Sequence, residues 1–515
     1  MSNFHLQQDG TSTSSLWLNL SLALLTLPLI VLFLKWSHRS SKKSKLPPSP
    51  PTLPIIGNLH QLGLHPHQSL GNLAKIHGPI MSLNLGLGSI PVLIISSPDT
   101  AHQIMKTHDL IFADRPASTI SDKLLYNRRD IAAAPYGEYW RQMKGISVLH
   151  LLNSKRVQSF KHVREEETAC LIERIKSNYS SSEAVNLSVE LATLTSDVVC
   201  RVALGRKHMA TAGGRNFKDL LGEFVELLGF NIGNYIPWLS WVNYVNGLNG
   251  KAERVFREID GFLNKVVEEH MAMGRNENGD NHRDFVDVLL WIQKEDTAGF
   301  PIDLTSIKAL ILDVFSAGTD STYTALEWAM TELLKKPNIM KQLQNEVRKT
   351  AENKSEITAD DIDKMPYLKA VIKETLRLHP PLPLLVPRVS TQDVNINGYD
   401  IARGTQVIIN AWAIGRDPAF WERAEEFWPD RFLNSKIDIK GHDFQLLPFG
   451  AGRRACPGIQ FAISIEELAL ANIVYKFDWS LPSGVGEEDL DMTESVGLTT
   501  HRKFPLFAVA TPPPC

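Results

Sequence analysis

From Ile302 to Lys336 the chain contains no proline, although 29 prolines punctuate its 515 residues. Proline breaks a helix interior, because it lacks the N–H and its ring clashes with the preceding turn. A gap of this length, opening after Pro301 and closing before Pro337, therefore predicts one long helix. Ile307, Leu310, Ile311 and Val314 recur at spacings of three and four, as an apolar helix face requires. From about residue 50 to the C-terminus there is no second Pro/Ser/Gly linker, no repeat and no low-complexity tract. Short β-branched runs occur early, within 80–95, and late, within 394–407 and 504–509. The pattern predicts one large, mainly α domain with small β-sheets.

The middle of that helix contradicts its flanks. Gly318, Thr319, Asp320, Ser321 and Thr322 are poor helix formers between strong ones, and glycine alone costs about 1 kcal/mol relative to alanine. Hydroxyls and a carboxylate here can bond the local backbone and open the ladder. Val314, Phe315, Leu326 and Trp328 on either side mark the helix as largely buried. A distorted, polar groove inside a buried helix points to a functional site.

Leu16–Leu34 is 19 residues without a charge. As a helix it reaches about 28 Å, close to the roughly 30 Å apolar thickness of a bilayer. No Lys or Arg precedes it, whereas Lys35, Arg39, Lys42, Lys43 and Lys45 follow. A cleaved signal has its charges in the opposite order. The positive-inside rule then leaves residues 1–15 as a lumenal tail, 16–34 as a retained transmembrane anchor, and the rest in the cytosol. Residues 35–58 are first basic and then proline-rich, which suits a stiff hinge between bilayer and body. The catalytic body is expected over 59–515.

Composition removes other classes. Lys and Arg total 54 against 57 Asp and Glu, a net charge of −3, which gives no reason to expect a nucleic acid partner. Four cysteines, at 170, 200, 456 and 515, cannot build a disulfide framework, and a reducing compartment fits them best.

One of those cysteines lies in the most informative stretch, Phe449-Gly450-Ala451-Gly452-Arg453-Arg454-Ala455-Cys456-Pro457-Gly458. Two glycines allow a tight loop, and Pro457 suits the first turn of a helix continuing through 459–471. A thiol at a helix N-terminus meets the positive end of the dipole and free N–H donors, which favours thiolate. A lone cysteine excludes zinc and iron–sulfur clusters here. A haem ligand and a catalytic nucleophile both stay open on spacing alone.

The pattern Phe-x-x-Gly-x-Arg-x-Cys-x-Gly, at Phe449, Gly452, Arg454, Cys456 and Gly458, resembles the haem-binding loop of the cytochrome P450 family. Further motifs match in order: the proline hinge within 47–58, Phe112-Ala-Asp-Arg-Pro116, Trp140-Arg141-Gln-Met-Lys144, and Ala317 to Thr322. Glu374-Thr-Leu-Arg377 and Pro429-Asp-Arg-Phe432 complete the series. The resemblance covers residues 47–510, and its wording is most similar to plant microsomal members of the 71 clan.

That resemblance implies a cytochrome P450 fold and haem b (Fe-protoporphyrin IX) with Cys456 as axial ligand of the iron. Arg454 would pair a propionate, Phe449 would lie near the sulfur, and Gly458 would belong to the cofactor loop. Trp140 and Lys144, four apart on one helix face, resemble a propionate-binding pair in which Lys replaces the commoner Arg, with Arg141 as understudy. Glu374, Arg377 and Arg431 resemble a buried network that holds the cysteine loop. Asp320 and Ser321 match the positions of an acid and a hydroxyl that pass protons toward dioxygen. Serine stands there for the usual threonine and loses the methyl that fixes its rotamer.

Phe315, Ala317, Leu384, Leu385, Val386 and Leu498 are expected to line an apolar substrate pocket. The uncharged aromatic run 235–241 is a candidate for dipping into the bilayer. No dinucleotide fingerprint or flavin motif is present in the sequence, so electrons are expected from elsewhere; the resemblance implies NADPH through a membrane-bound NADPH–cytochrome P450 reductase, with cytochrome b5 as an optional donor. The expected activity is monooxygenation of a small lipophilic plant metabolite with O2, at the endoplasmic reticulum membrane. The alternatives are a reductase-independent isomerase or dehydratase, for example of an aldoxime, and a haem-binding sensor.

Overall fold

The proline-free stretch forms an unbroken α-helix, Leu304–Lys335. The computed structural model describes Thr26 and residues 45–513, apart from 55, 87–89, 178–183, 208–216, 230–241, 274–283, 296–299 and 353. Asp303 caps the start, its Oδ1 accepting from the Ser306 N–H at 2.8 Å and from Ser306 Oγ at 2.7 Å. Pro337 ends it by opening the next helix at its first position. The expected opening of the ladder at 318–322 does not occur. Ser316, Ser321 and Thr324 donate instead to the carbonyls of Leu312, Ala317 and Asp320, four residues back, at 2.9, 2.6 and 2.7 Å. The hydroxyls find acceptors inside the helix and leave its ladder whole.

In chain order the principal helices are α1 (Pro66–His77), α2 (Glu138–Ser147), α3 (Lys161–Ser177), α4 (Leu187–Leu204), α5 (Phe217–Leu228) and α6 (Leu248–Met273). Then come α7 (Phe285–Glu295), α8 (Leu304–Lys335), α9 (Pro337–Ala351), α10 (Pro366–Leu378) and α11 (Ile459–Lys476). α8 is the central member, packed along α4, α10 and α11. Leu191, Leu194 and Val198 of α4 meet Ile307, Ile311 and Phe315 of α8 in one core with Ile465 and Ala469 of α11. Each such aliphatic side chain contributes about 1.5–3 kcal/mol on burial. Gly318 lets α4 come close: a Cβ there would stand 3.3 Å from Val199 Cγ2.

Nine strands are present among the described residues: β1 (Ile80–Leu83), β2 (Val92–Ile95), β3 (Val185–Asn186), β4 (Arg388–Val389) and β5 (Val394–Ile396). β6 (Tyr399–Ile401), β7 (Gln406–Ile409), β8 (Asp478–Ser480) and β9 (Phe507–Thr511) follow. The main sheet has the order β1-β2-β7-β4. Its two central strands run parallel, with Val92 opposite Gln406 and Ile95 opposite Ile409. Both are buried at every position, as parallel strands covered on two faces require. β5 and β6 form a separate hairpin, while β9 joins β3 to β8 and ties the C-terminus to the start of α4. β4 delivers Arg388 toward the cysteine loop, where its Nη2 donates to the Ala451 carbonyl at 2.8 Å.

The lumenal tail, the anchor over 16–34 (Thr26 apart) and the aromatic run 235–241 lie outside the described residues. Among the described residues no helix is long and apolar enough to cross a membrane.

Candidate active site

Cys456 lies two residues before Gly458, the N-cap of α11. The Gly458 N–H donates to Cys456 Sγ at 3.3 Å, and the Cys456 N–H closes the loop on the Phe449 carbonyl at 3.0 Å. Gly452 has φ +70°, and a Cβ there would lie 2.1 Å from the Met105 carbonyl oxygen, so the loop admits only glycine at this point. The surroundings of Cys456 are dense in protein atoms, yet its side chain is accessible, so the sulfur faces a space within the protein. Burial pushes the thiol up from its ordinary range, with the Gly458 N–H and the Lys144 cation pulling it back.

Beside the loop is a group of buried cations. Arg454 donates from Nε, Nη1 and Nη2 to the carbonyls of Ala113, Ile131 and Ala134 at 2.7, 3.1 and 2.6 Å. Its guanidinium lies 4.3 Å over the Trp140 ring, and Trp140 Nε1 donates to the same Ile131 carbonyl at 3.0 Å. Arg115 donates to the carbonyls of Ala132, Val386 and Pro387 at 2.9, 2.6 and 2.8 Å. Burial, then the Arg388 and Arg454 charges, hold Arg115 well below the usual guanidinium range. Arg454 is brought down to about 10 by burial, with Arg388 adding to the effect. Lys144 falls to about 8, again by burial first and then by Arg454.

Trp140, Lys144 and Arg454 therefore come together as expected. Lys144, however, spans the cysteine loop, donating to the carbonyls of Arg453 and, at 3.4 Å, Ala455. The understudy Arg141 is exposed over the Tyr136 ring. Arg115 and Arg388 were not among the candidates. Arg115 sits inside the motif 112–116 that the sequence already displayed, whereas nothing local marks Arg388.

On α8, Ala317 is exposed between half-buried Ser316 and Gly318, with buried Phe315 and Thr319 one residue further on each side. Asp320 and Ser321 do not bond each other. Ser321 Oγ is engaged with the Ala317 carbonyl, and the Asp320 carboxylate accepts from the Thr499 hydroxyl. Burial raises the Asp320 carboxyl above its ordinary range, with the Thr499 bond and the His501 charge opposing it. The buried hydroxyls of Thr319 and Thr322 find no hydrogen-bond partner among the described residues.

Glu374 and Arg377 form the expected network. Arg377 Nε and Nη2 donate to Glu374 Oε2 and Oε1 at 2.7 and 2.8 Å, while Arg431 Nε reaches Oε1 at 3.2 Å. Arg377 also donates to the carbonyls of Gly415 and Ala424 at 2.6 and 2.7 Å, fastening the stretch that runs toward Cys456.

The pocket residues divide. Leu385 packs against the core beside the cysteine loop, its Cδ1 3.8 Å from where a Gly450 Cβ would stand. Leu384 turns the other way, into a cluster with Leu70, Leu83 and Ile408 under the main sheet. Phe315 is fully buried against the Phe217 ring, 5.2 Å between centroids. Val386 and Leu498 are half-buried. An accessible cysteine sulfur in an enclosed space, flanked by guanidinium groups that depress one another, suits an iron macrocycle bearing carboxylates.

A family model described as Cytochrome P450 matches residues 47–507. "Cytochrome P450 736A117" of Prunus mume is 57% identical over 512 residues, covering 98% of this chain and 98% of that protein. "Cytochrome P450 71A6" of Nepeta racemosa is 52% identical over 507 residues, covering 96% and 99%. A solved zebra fish cytochrome P450, described with progesterone, superposes with a TM-score of 0.74 at 25% identity, covering 87% of this chain and 99% of its own. The chain belongs to the cytochrome P450 family. Within it the chain is a plant member of the 71 clan, and like other members of the family it is a monooxygenase.

Proposed function

We propose that the chain is a membrane-anchored haem-thiolate monooxygenase that hydroxylates a small lipophilic plant specialised metabolite, RH + O2 + NADPH + H⁺ → ROH + H2O + NADP⁺. Cys456 would hold haem b through its sulfur, and Arg454, Arg115, Arg388 and Trp140 would stand where the propionates need cations and an N–H donor. When bound, the haem supplies the activation of dioxygen and the transfer of one oxygen atom. The chain's own residues supply the rest. The Gly458 N–H bonds the sulfur and moderates its donation. Lys144 and the Glu374–Arg377–Arg431 network keep the cysteine loop in place. Asp320 and Ser321 move protons on the face of α8 that Ala317 opens. The half-buried apolar side chains of Val386 and Leu498, with Leu385, exclude water around the substrate.

The observation that carries this reading is the enclosed yet accessible sulfur of Cys456 beside three buried arginines. Electrons would come from an NADPH–cytochrome P450 reductase, with cytochrome b5 as a second donor, and the uncharged run 16–34 would fix the protein in the endoplasmic reticulum membrane. The test reconstitutes full-length protein with haem and reductase in liposomes and feeds a panel of lipophilic compounds under ¹⁸O2. One labelled oxygen in the product, dependent on NADPH and reductase, is the expected result. Turnover without either would replace the reading by isomerase or dehydratase chemistry, and a pigmented protein with no turnover by a sensor.

A further inference from the structure

We propose that Thr499 is a positioning residue for Asp320: its hydroxyl holds the acid turned away from Ser321 and couples it to the turn that carries Leu498. The proposal rests on the reading of Asp320 as a proton-delivering group. The turn 495–502 is fastened to α8 at three of its residues, Arg502 also donating from Nη1 to Thr331 Oγ1 at 3.3 Å. The Thr499 hydroxyl donates to Asp320 Oδ2. Trp328 Nε1 donates to the Thr500 carbonyl at 2.8 Å, and the Arg502 N–H donates to Glu327 Oε2 at 3.1 Å. Asp320 and Glu327 are seven residues apart and so share one stripe of the helix. The turn therefore lies along that stripe, and Asp320 is its contact nearest the polar centre of α8.

Two of these contacts are structural in character, since they use buried backbone groups that need partners anyway. The third is different. Thr499 is buried, and its hydroxyl is spent on a carboxylate that the chemistry requires elsewhere. A hydroxyl both donates and accepts, so it can hold the Asp320 side chain in either protonation state. Ser321 meanwhile bonds its own helix, leaving acid and hydroxyl unlinked. Leu498, adjacent to Thr499, is half-buried, and its backbone N lies 3.6 Å from where a Gly229 Cβ at the end of α5 would stand. A molecule that presses on Leu498 moves the residue that orients the acid. The charged and titratable groups around Asp320 are His501 and Arg502 on the turn and Tyr323 and Glu327 on its own helix. His501 favours ionisation of both Asp320 and Glu327.

The experiment compares the parent with Thr499→Val, Thr499→Ser and Asp320→Asn as full-length holoproteins. Infrared titration of the resting protein follows the protonated carboxyl band that Asp320→Asn removes. Reductase-driven NADPH consumption without substrate gives the share of electrons released as peroxide. Loss of the Thr499 donor is expected to raise the Asp320 midpoint by about one unit and to shift its band, with a higher peroxide share. Thr499→Ser should restore all three. An unshifted band and midpoint in Thr499→Val, in protein that folds and holds pigment, would overturn the proposal. If Asp320→Asn itself leaves the peroxide share unchanged, the proton-delivery reading fails and takes this proposal with it.

Discussion

Arg377 grips Glu374 with two N–H···O bonds, at 2.7 and 2.8 Å, where neither side chain has any exposed surface. The pair is three residues apart on α10, a spacing that on a solvated face is worth only about 0.2–0.5 kcal/mol. Here the same carboxylate also receives Arg431 and the Trp428 N–H. Removing one partner leaves a buried charge uncompensated, at a cost of about 3–5 kcal/mol.

Arg377→Ala is therefore expected to lose folded protein and pigment together. The reduced carbon monoxide spectrum and the soluble yield measure this. Normal pigment at normal yield would remove the structural role.

Lys144 donates to the carbonyls of Arg453 and Ala455, both just ahead of the cysteine, so Lys144→Ala should speed haem transfer to apomyoglobin by about tenfold, the usual scale for a group that supports a metal ligand. Lys144→Arg should keep most of the retention, since a guanidinium also reaches two carbonyls. Equal transfer rates for parent and alanine variant would show that the loop holds its shape without the ammonium.

Ser321→Thr keeps the hydroxyl that donates to the Ala317 carbonyl and adds a methyl that restricts its rotamer. Less peroxide per NADPH is expected from the threonine variant than from the parent. The same leakage in both would mean that rotamer freedom at Ser321 does not govern coupling.

Glu466 on α11 is buried, and its Oε2 has no hydrogen-bond partner among the described residues. Burial, with Glu467 adding repulsion, pushes its carboxyl up to about 8. A folded pKa above the free value means that folding takes up a proton. The stability this gives is whole below about pH 4.5 and lost as pH climbs toward 8. Glu466→Gln stays neutral, so its Tm should exceed the parent's by a few degrees at about pH 9 and approach it at about pH 5. A Tm difference that does not change with pH would show that Glu466 does not titrate in this window.

Much of the fold is legible because its signals are local. Pro301 and Pro337 bracket α8 to within three residues of its observed ends, and the spacing around Cys456 marks a tight loop ahead of a helix. The early and late β-branched runs contain β1, β2, β5, β6 and the start of β9, while β7 extends two residues past its predicted run. What escaped depends on long-range meetings. Arg115, Arg388 and Arg454 converge from three distant segments, and Asp320 finds Thr499 across 179 residues. Neither contact leaves a periodicity. The apolar run after His379 misleads for a geometric reason. Leu385 has φ +50°, which turns the chain and sends Leu384 under the sheet while Leu385 faces the cysteine loop.

The cations beside the cysteine take hold of residues 131, 132 and 134 only by their main-chain oxygens. Any residue can supply such an oxygen. The side chains of residues 131 and 132, which are not buried, are thus free to drift between related enzymes, whereas the length of the segment is fixed, because one inserted or deleted residue would shift every acceptor out of register at once. Variation among relatives at this edge of the cofactor site should accumulate as substitutions and almost never as gaps.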